Sequence, residues 1–220
     1  MGEILSQVLM ARDTAPGKKI SHVVFMGIGE PFDNYDVVLK AIRTLNSKKT
    51  LFIGARRITV STCGIVPKIE RFAEEKLQVE LSVSFHGPTD TVRGVIMPVN
   101  QAYPVKTLVE ACKRYARETK RAVTFEYILI QGINASEKEA TQLAKLLKGT
   151  LCKVNLIPYN PIEEFPHAAP AYRDIVRFQQ ILQKAGVRTT VRFSKGQDIQ
   201  AACGQLRSAK IGNSARGKFI

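Results

Sequence analysis

Hydrophobic and polar residues follow two patterns along this chain, one typical of strands and one typical of helices, and the two patterns alternate. Short runs rich in apolar and β-branched residues are typical of strands, whereas apolar residues spaced three or four apart are typical of helices that cover a core. The short runs predict six strands, over residues 22–27, 57–62, 79–85, 123–130, 153–159 and 189–193. The longer pattern predicts helices over residues 33–45, 67–75, 104–119, 136–148 and 171–184, a short amphipathic helix at the start and a helical turn over 198–206.

This alternation predicts an α/β fold. Strands that alternate with helices form right-handed βαβ units and therefore a parallel sheet, which with six strands is long enough for a curved sheet or partial barrel. Ser136 followed by Glu139 has the spacing of a capping box and marks the start of one helix. Residues 86–103 show neither period and are interpreted as a loop.

Polar residues and glycines cluster where the predicted strands end. The segments are GIGEP at 27–31, STCG at 61–64, SFHG at 84–87, GIN at 132–134 and PYNP at 158–161. Ligands bind at the carboxyl ends of parallel strands, although a serine or asparagine at such a place is more often a turn residue. Glu30 carries more weight, because a carboxylate there suits a cation such as an amino-acid ammonium group.

Some common sites are disfavoured. The chain has no GxGxxG motif and no P-loop, which disfavours a classical dinucleotide or nucleoside triphosphate site. A Schiff-base aldolase would need a lysine at the carboxyl end of a strand, and Lys153 begins its strand instead.

The charge of the chain favours a polyanion as partner. Lys and Arg number 33 against 19 Asp and Glu, which gives a net charge of +14. RNA, DNA and an anionic membrane all fit this sign of charge. The basic residues are dispersed, and no single amphipathic helix collects them, which argues against a membrane anchor. The chain also has no apolar run long enough to span a bilayer and no export signal at its start, so we expect a cytoplasmic protein that binds nucleic acid.

The four cysteines, Cys63, Cys112, Cys152 and Cys203, lie far apart. They form no CxxC or CxxxCxxC spacing, so the sequence predicts no local metal site, and disulfides are not expected. Cys112 and Cys152 are interpreted as core residues. Cys203 lies in the segment DIQAACGQL, where small neighbours would let a planar group approach the sulfur; the residues alone nevertheless favour a small buried side chain.

The strand-end segments, taken in order, resemble a known family. GIGEPFDN, RRITVSTCGIVP, LSVSFHG, MPVNQAYP, VTFEYILIQGIN, KVNLIPYNP, TTVR and DIQAACGQL together resemble the radical S-adenosylmethionine (SAM) RNA methyltransferases of the RlmN/Cfr type. The resemblance implies a partial (β/α) barrel of the radical SAM type over residues 1–207, with its first strand missing, and a basic flexible tail over 208–220. It is greater to the enzymes that methylate carbon-2 of an adenine in 23S rRNA, and in some tRNAs, than to the carbon-8 relatives.

The resemblance also implies roles for single residues. Gly29 and Glu30 match the motif that binds the amino group of SAM, and Ser61 matches a cofactor-contacting serine. Further cofactor contacts are implied for Ser84, Phe85, His86 and Asn160. Cys203 matches the cysteine that is itself methylated and then carries the methyl group to RNA, with a 4Fe–4S cluster generating the radical that this transfer needs.

One part of the family pattern is absent. Members carry a CxxxCxxC motif that holds the cluster, and no such motif occurs in these 220 residues. The chain therefore resembles the C-terminal part of a longer enzyme, inactive alone, whose N-terminal half could lie on another polypeptide. A non-catalytic remnant that binds RNA or SAM is the alternative of a different class.

Overall fold

Six strands form one parallel sheet in the order β1-β2-β3-β4-β5-β6. The computed structural model describes residues 1–161 and 165–193. The strands are β1 (Val23–Phe25), β2 (Ile58–Thr62), β3 (Glu80–Ser84), β4 (Val123–Leu129), β5 (Cys152–Pro158) and β6 (Arg188–Val191). Every neighbouring pair is parallel. All six predicted strands are thus confirmed, as is the α/β fold class.

Helices connect the strands and run back along the sheet. They are α1 (Gly2–Asp13), α2 (Tyr35–Asn46), α3 (Val66–Glu74), α4 (Asp90–Ile96), α5 (Val105–Thr119), α6 (Glu137–Leu147) and α7 (Tyr172–Lys184). The capping box at the start of α6 is confirmed, since the Ser136 side chain caps the first turn and the Glu139 carboxylate accepts the Ser136 backbone N–H at 3.1 Å. The predicted turn over 198–206 and the tail over 208–220 lie outside the described residues.

The interpretation of residues 86–103 as a loop was wrong. This segment contains α4 and a 3-10 turn, Pro98–Gln101. Thr89 caps α4 by accepting the Val92 backbone N–H at 3.3 Å. A helix of seven residues is too short to show a full apolar stripe, and Gly94 within it weakens the helical pattern further.

The two faces of the sheet differ in polarity. In β2, Ile58 and Val60 are fully buried, whereas Thr59 and Ser61 are half-buried. Successive strand side chains point to opposite faces, so the apolar set packs in the core against the helices. We call the other side the open face; it carries mostly polar side chains.

Strand β1 lies at one edge of the sheet and pairs with β2 only, within the residues described. Its central residue, Val24, is 55% exposed. A groove of about 490 Å³ separates this edge from α1. β1 thus presents an exposed apolar edge, and we predict that it favours aggregation, because such edges can pair with another chain.

Candidate functional site

A cleft of about 260 Å³ lies at the edge of the sheet where the strands end. Because all six strands are parallel, their carboxyl ends meet there. The cleft brings together five residues that the sequence singles out, Gly29, Glu30, Ser61, Ser84 and His86. Its other lining residues include three with ionisable side chains to which the sequence assigned no role, Cys63, Glu126 and Arg192.

Glu30 is held in place by the backbone on two sides. One carboxylate oxygen accepts the Phe32 N–H at 2.9 Å and caps the 3-10 turn Pro31–Asn34. The other accepts the Cys63 N–H at 2.6 Å and so joins the ends of β1 and β2. Each carboxylate oxygen has a further lone pair, so Glu30 can still accept hydrogen bonds from a ligand cation. The preceding Gly29 has a φ of +94°, a conformation that a side chain would strain.

His86 occupies a tight turn directly after β3. Its own φ is +59°, and the Gly87 N–H donates to the Phe85 carbonyl across it at 2.8 Å. The buried Asn134 fixes the turn, since its amide donates to the His86 carbonyl at 2.7 Å. Asn134 is thus a positioning residue of the site.

The His86 ring is held in one neutral form. Its Nδ1 accepts the Ile128 backbone N–H at 3.1 Å, and an atom that accepts cannot carry a proton. The remaining proton therefore lies on Nε2. Burial, with a smaller contribution from Arg93, lowers the pKa of His86 to about 4, so the ring is neutral at pH 7.

Arg93 is the largest side chain that is fully buried in the described part of the chain. Its guanidinium donates to the carbonyls of Cys63 at 2.6 Å, Phe85 at 3.1 Å and Ser84 at 3.4 Å, and to the Asn100 side chain at 3.1 Å. It therefore joins the ends of β2 and β3, from which Ser61, Ser84 and His86 reach the cleft. The sequence did not indicate this role, because an arginine in an unassigned loop gives no sign of burial.

Cys63 contributes a protonated thiol to the cleft. Burial is the main cause that raises its pKa to about 12, and the neighbouring Glu30 carboxylate raises it further. The thiol is therefore a poor nucleophile near pH 7, since the thiolate is the reactive form.

Glu126 is a second carboxylate of the cleft, and it lies on the open face of β4 with only 9% of its surface exposed. Its oxygens accept from Ser82 Oγ at 2.9 Å and Asn155 Nδ2 at 2.8 Å, and the Thr190 hydroxyl donates to Asn155 at 3.2 Å. Both partners of Glu126 are neutral, and no ion pair to it occurs within the described ranges. A charged residue in the apolar strand VTFEYIL was the signal that could have found it.

Two predicted site residues, Phe85 and Asn160, do not line the cleft. The Phe85 side chain lies in the core against Phe125, with ring centroids 5.2 Å apart. Asn160 follows β5 at the same edge but is not among the residues that line the cleft. Cys203 lies outside the described residues. The proposed roles of all three stay predictions.

The described cysteines do not fit a 4Fe–4S cluster. Cys63 lies in the cleft, whereas Cys112 and Cys152 are buried in the core, as predicted. Across residues 1–161 and 165–193, no group of three His, Cys, Asp or Glu side chains could hold a metal ion. In the same ranges, no helix has the length and hydropathy that crossing a bilayer requires.

The chain is similar to proteins of one family. The model of the family described as "Radical SAM superfamily" matches residues 3–144. The probable dual-specificity RNA methyltransferase RlmN of Thermoanaerobacter sp. is 52% identical over 205 residues, which cover 93% of this chain and 59% of that protein. The protein of the same description from Clostridium tetani is 49% identical over 215 residues, 98% of this chain and 61% of that protein. The chain thus spans about three-fifths of the length of these relatives.

Two solved structures are similar to this one. A radical SAM methyltransferase from Sphaerobacter thermophilus has a TM-score of 0.86 at 48% identity, over 93% of this chain and 59% of that one. A domain of the pyruvate-formate lyase-activating enzyme from Bacteroides vulgatus has a TM-score of 0.60 at 20% identity, over 79% of this chain and 99% of that one. The second likeness shows the fold alone.

Proposed function

The chain belongs to the radical SAM superfamily. We propose that within this superfamily it is an RNA methyltransferase of the RlmN type, and that its cleft binds SAM for methyl transfer to RNA. The proposed target is carbon-2 of an adenine in 23S rRNA, with tRNA as a second candidate and the cytoplasm as the location. One observation carries the cofactor assignment: five predicted cofactor residues, from three separate strand ends, line a single cleft.

When bound, SAM supplies an electrophilic methyl group. The cleft offers groups that match the methionine part of SAM. The Glu30 carboxylate, fixed by two backbone N–H groups, is the proposed acceptor for the ammonium group of the methionine part. Ser61 and Ser84 add hydroxyl groups that can donate or accept. Because His86 Nδ1 accepts from the backbone, the Nε2 proton is left to donate to an acceptor atom of the ligand.

Cys203 is the proposed methyl carrier. An sp² carbon of adenine is a weak nucleophile, whereas a thiolate takes a methyl group readily. Cys63 is poorly suited to this role, because its raised pKa keeps the thiol protonated. The role of Cys203 therefore rests on the resemblance, which implies it.

Only membership of the radical SAM superfamily supports a radical step in the proposed reaction. The family implies a 4Fe–4S cluster, and the described residues offer no ligand set for one. A second candidate function is a non-catalytic protein that binds SAM or RNA, for which the cleft and the net charge of +14 would suffice. Nothing in the relatives or the structure bears on a second polypeptide that would supply the ligands, and that expectation stays a prediction, as does inactivity of the chain alone.

Titration calorimetry with SAM tests the cofactor site. We expect the wild-type chain to bind SAM and Glu30→Gln to bind at least about tenfold more weakly, since a charge-assisted hydrogen bond is lost. Asp33→Asn is the matched control, because Asp33 is an exposed carboxylate of the same turn that does not line the cleft. Equal affinities of the wild type and Glu30→Gln would contradict the assignment.

Anaerobic iron–sulfur reconstitution then separates the enzyme from the non-catalytic alternative. The readouts are the absorption spectrum, 5′-deoxyadenosine release and methylation of a 23S rRNA fragment, with Cys203→Ala as the variant that should form no methylated RNA. SAM binding without cluster or cleavage would support inactivity of the chain alone. Cluster formation with methylated RNA would overturn it.

A further inference from the structure

The amino edge of the sheet, opposite the cleft, carries a large excess of positive charge. The segments that lead into the six strands are residues 14–22, 47–57, 75–79, 120–122, 148–151 and 185–187. They contain a single acidic residue, Glu75, against ten basic ones. We call these ten the basic rim: Lys18, Lys19, Lys48, Lys49, Arg56, Arg57, Lys76, Lys120, Arg121 and Lys148. Because the strands are parallel, all six segments lie at the same edge.

The basic rim is exposed and its charge is largely uncompensated. Nine of its members are exposed, and Arg121 is half-buried. Arg121 forms an ion pair with Glu80, at 2.8 Å, and the other nine form none with a described residue. Glu75 pairs with Arg43, which lies in α2, at 2.6 Å. The rim therefore has no acidic residue of its own left to balance it.

Helix dipoles account for only part of this charge. A cation near a helix C-terminus is favoured, and the effect falls off within the last turn. Lys120 and Lys148 directly follow a helix end, and Lys48 and Lys76 lie two positions beyond one, so these four fit this explanation. Arg56 and Arg57 lie about ten residues beyond the end of α2, in the single 3-10 turn Ala55–Arg57, and one turn has too few aligned peptide dipoles to explain them.

An exposed aromatic ring lies in the same loop as four of the rim cations. Phe52 is 59% exposed and has a φ of +48°, which is unusual for an aromatic residue. The loop is fixed directly after it, since the Ile53 N–H donates to the Leu45 carbonyl at 2.9 Å and the Asn46 side chain donates to the Ile53 carbonyl at 2.8 Å. The ring is therefore presented outward on an anchored loop.

We propose that the basic rim binds the RNA backbone, with Phe52 stacking on an unpaired base. This inference rests on the proposed function and adds a second RNA-contacting surface to it. Exposed cations on several separate loops suit the phosphates of a folded RNA, and an aromatic ring among them suits a splayed-out base. A membrane surface fits less well, because the cations lie on separate loops instead of one amphipathic helix.

The position of the rim sets a size requirement for the RNA. Arg57 of the rim directly precedes β2 and lies four residues before Ser61 of the cleft, which corresponds to about 13 Å at the rise of a strand. An RNA that engages both must extend around the side of the sheet. Short oligonucleotides should therefore bind the rim without reaching the cleft.

The test measures binding of a fluorescein-labelled RNA hairpin with an unpaired loop, over a series of salt concentrations. The triple variant Lys49→Gln/Arg56→Gln/Arg57→Gln is compared with Lys40→Gln/Lys106→Gln/Lys138→Gln, which removes the same charge from exposed positions on α2, α5 and α6. We expect the rim variant to bind about tenfold more weakly or worse at 0.1 M salt, with a slope of log K against log salt lower by about 2, and the control to change by less than about threefold.

Phe52 is tested separately from the charges. Phe52→Ala should weaken hairpin binding about fivefold or more, Phe52→Tyr should preserve it, and binding of a fully paired duplex should not respond to either change. If the wild type and the rim variant bind the hairpin equally well, the inference about the basic rim is wrong, whereas the proposed function is unaffected. Equal losses in the two triple variants would also overturn the inference, because the charge would then act without a defined surface.

Two further outcomes have distinct meanings. A wild-type chain that binds no RNA at all would overturn the proposed RNA substrate together with the rim. If phosphatidylserine vesicles bind the wild type and not the rim variant, while RNA affinity is the same for both, the rim is a membrane-binding surface and the inference is wrong.

Discussion

At the carboxyl edge of the sheet the polar groups bond to one another, whereas at the amino edge the charged groups project into solvent. Glu30, Arg93 and Glu126 each accept or donate at least two hydrogen bonds within the protein. Nine of the ten rim cations form no ion pair with a described residue. One parallel sheet thus carries a pre-formed cleft at one end and an adaptable charged surface at the other.

The difference matches what each kind of ligand requires. A small cofactor is bound by a few groups in fixed positions, so their mutual bonds hold the cleft ready for it. RNA is bound by many weak, salt-dependent contacts to phosphates, and long flexible side chains suit these. Substitutions at the carboxyl edge should therefore affect folding and cofactor binding. Substitutions at the amino edge should lower RNA affinity and have little effect on folding.

Gly87→Ala should give the largest effect on stability. A Cβ atom at Gly87 would lie 2.5 Å from the Arg93 backbone N and 2.7 Å from its Cα, which do not yield as a flexible side chain would. We expect a loss of about 3 kcal/mol or more in the free energy of unfolding, measured in urea. Gly94→Ala, in the same segment but with open space around it, is the control and should change stability by less than about 1 kcal/mol.

The pH dependence of stability should report His86. Its pKa is lowered from 6.5 to about 4 in the folded chain, so the unfolded chain binds more protons between these values. Stability is therefore fully present above pH 6.5 and is lost as the pH falls toward 4, by about 3 kcal/mol. Urea unfolding at a series of pH values checks this, and His86→Gln should flatten the curve in that window. An unchanged curve for the variant would assign the loss to other groups.

Glu126→Gln should separate stability from cofactor affinity. The amide can accept from Asn155 and donate to the Ser82 hydroxyl, so both contacts can persist while an unpaired buried charge is removed. We expect the free energy of unfolding to change by less than about 1 kcal/mol. SAM affinity, measured by calorimetry, should fall about fivefold if this carboxylate balances the positive charge of the cofactor. Unchanged affinity would leave Glu126 a purely structural residue.

Lys49→Gln and Arg57→Gln should have the smallest effect on folding. Both side chains are exposed and unpaired with described residues, so each substitution should change the free energy of unfolding by less than about 0.5 kcal/mol. Because the rim cations repel one another, salt should stabilise the wild type more than a variant that lacks both charges. Thermal unfolding at 0.05 M and 0.5 M salt measures this difference. A loss of stability comparable to that of Gly87→Ala would contradict the contrast between the two edges.

Hydrophobic periodicity determined the elements of this fold and their order. Apolar runs such as VTFEYIL and the capping box at Ser136 are local signals, and the strands and helices that they predicted are present. The parallel topology then follows from alternation, so the sequence also predicted that Gly29, Glu30, Ser61, Ser84 and His86 meet at one edge.

Tertiary structure alone decided how those residues are held and what else joins them. Arg93, Asn134 and Glu126 act through partners that lie between 4 and 48 positions away in the chain, and no local pattern encodes such contacts. The sequence likewise did not predict the basic rim as one surface, because its ten residues are dispersed in small groups along the chain. They form one surface only because six parallel strands bring their amino ends to the same edge.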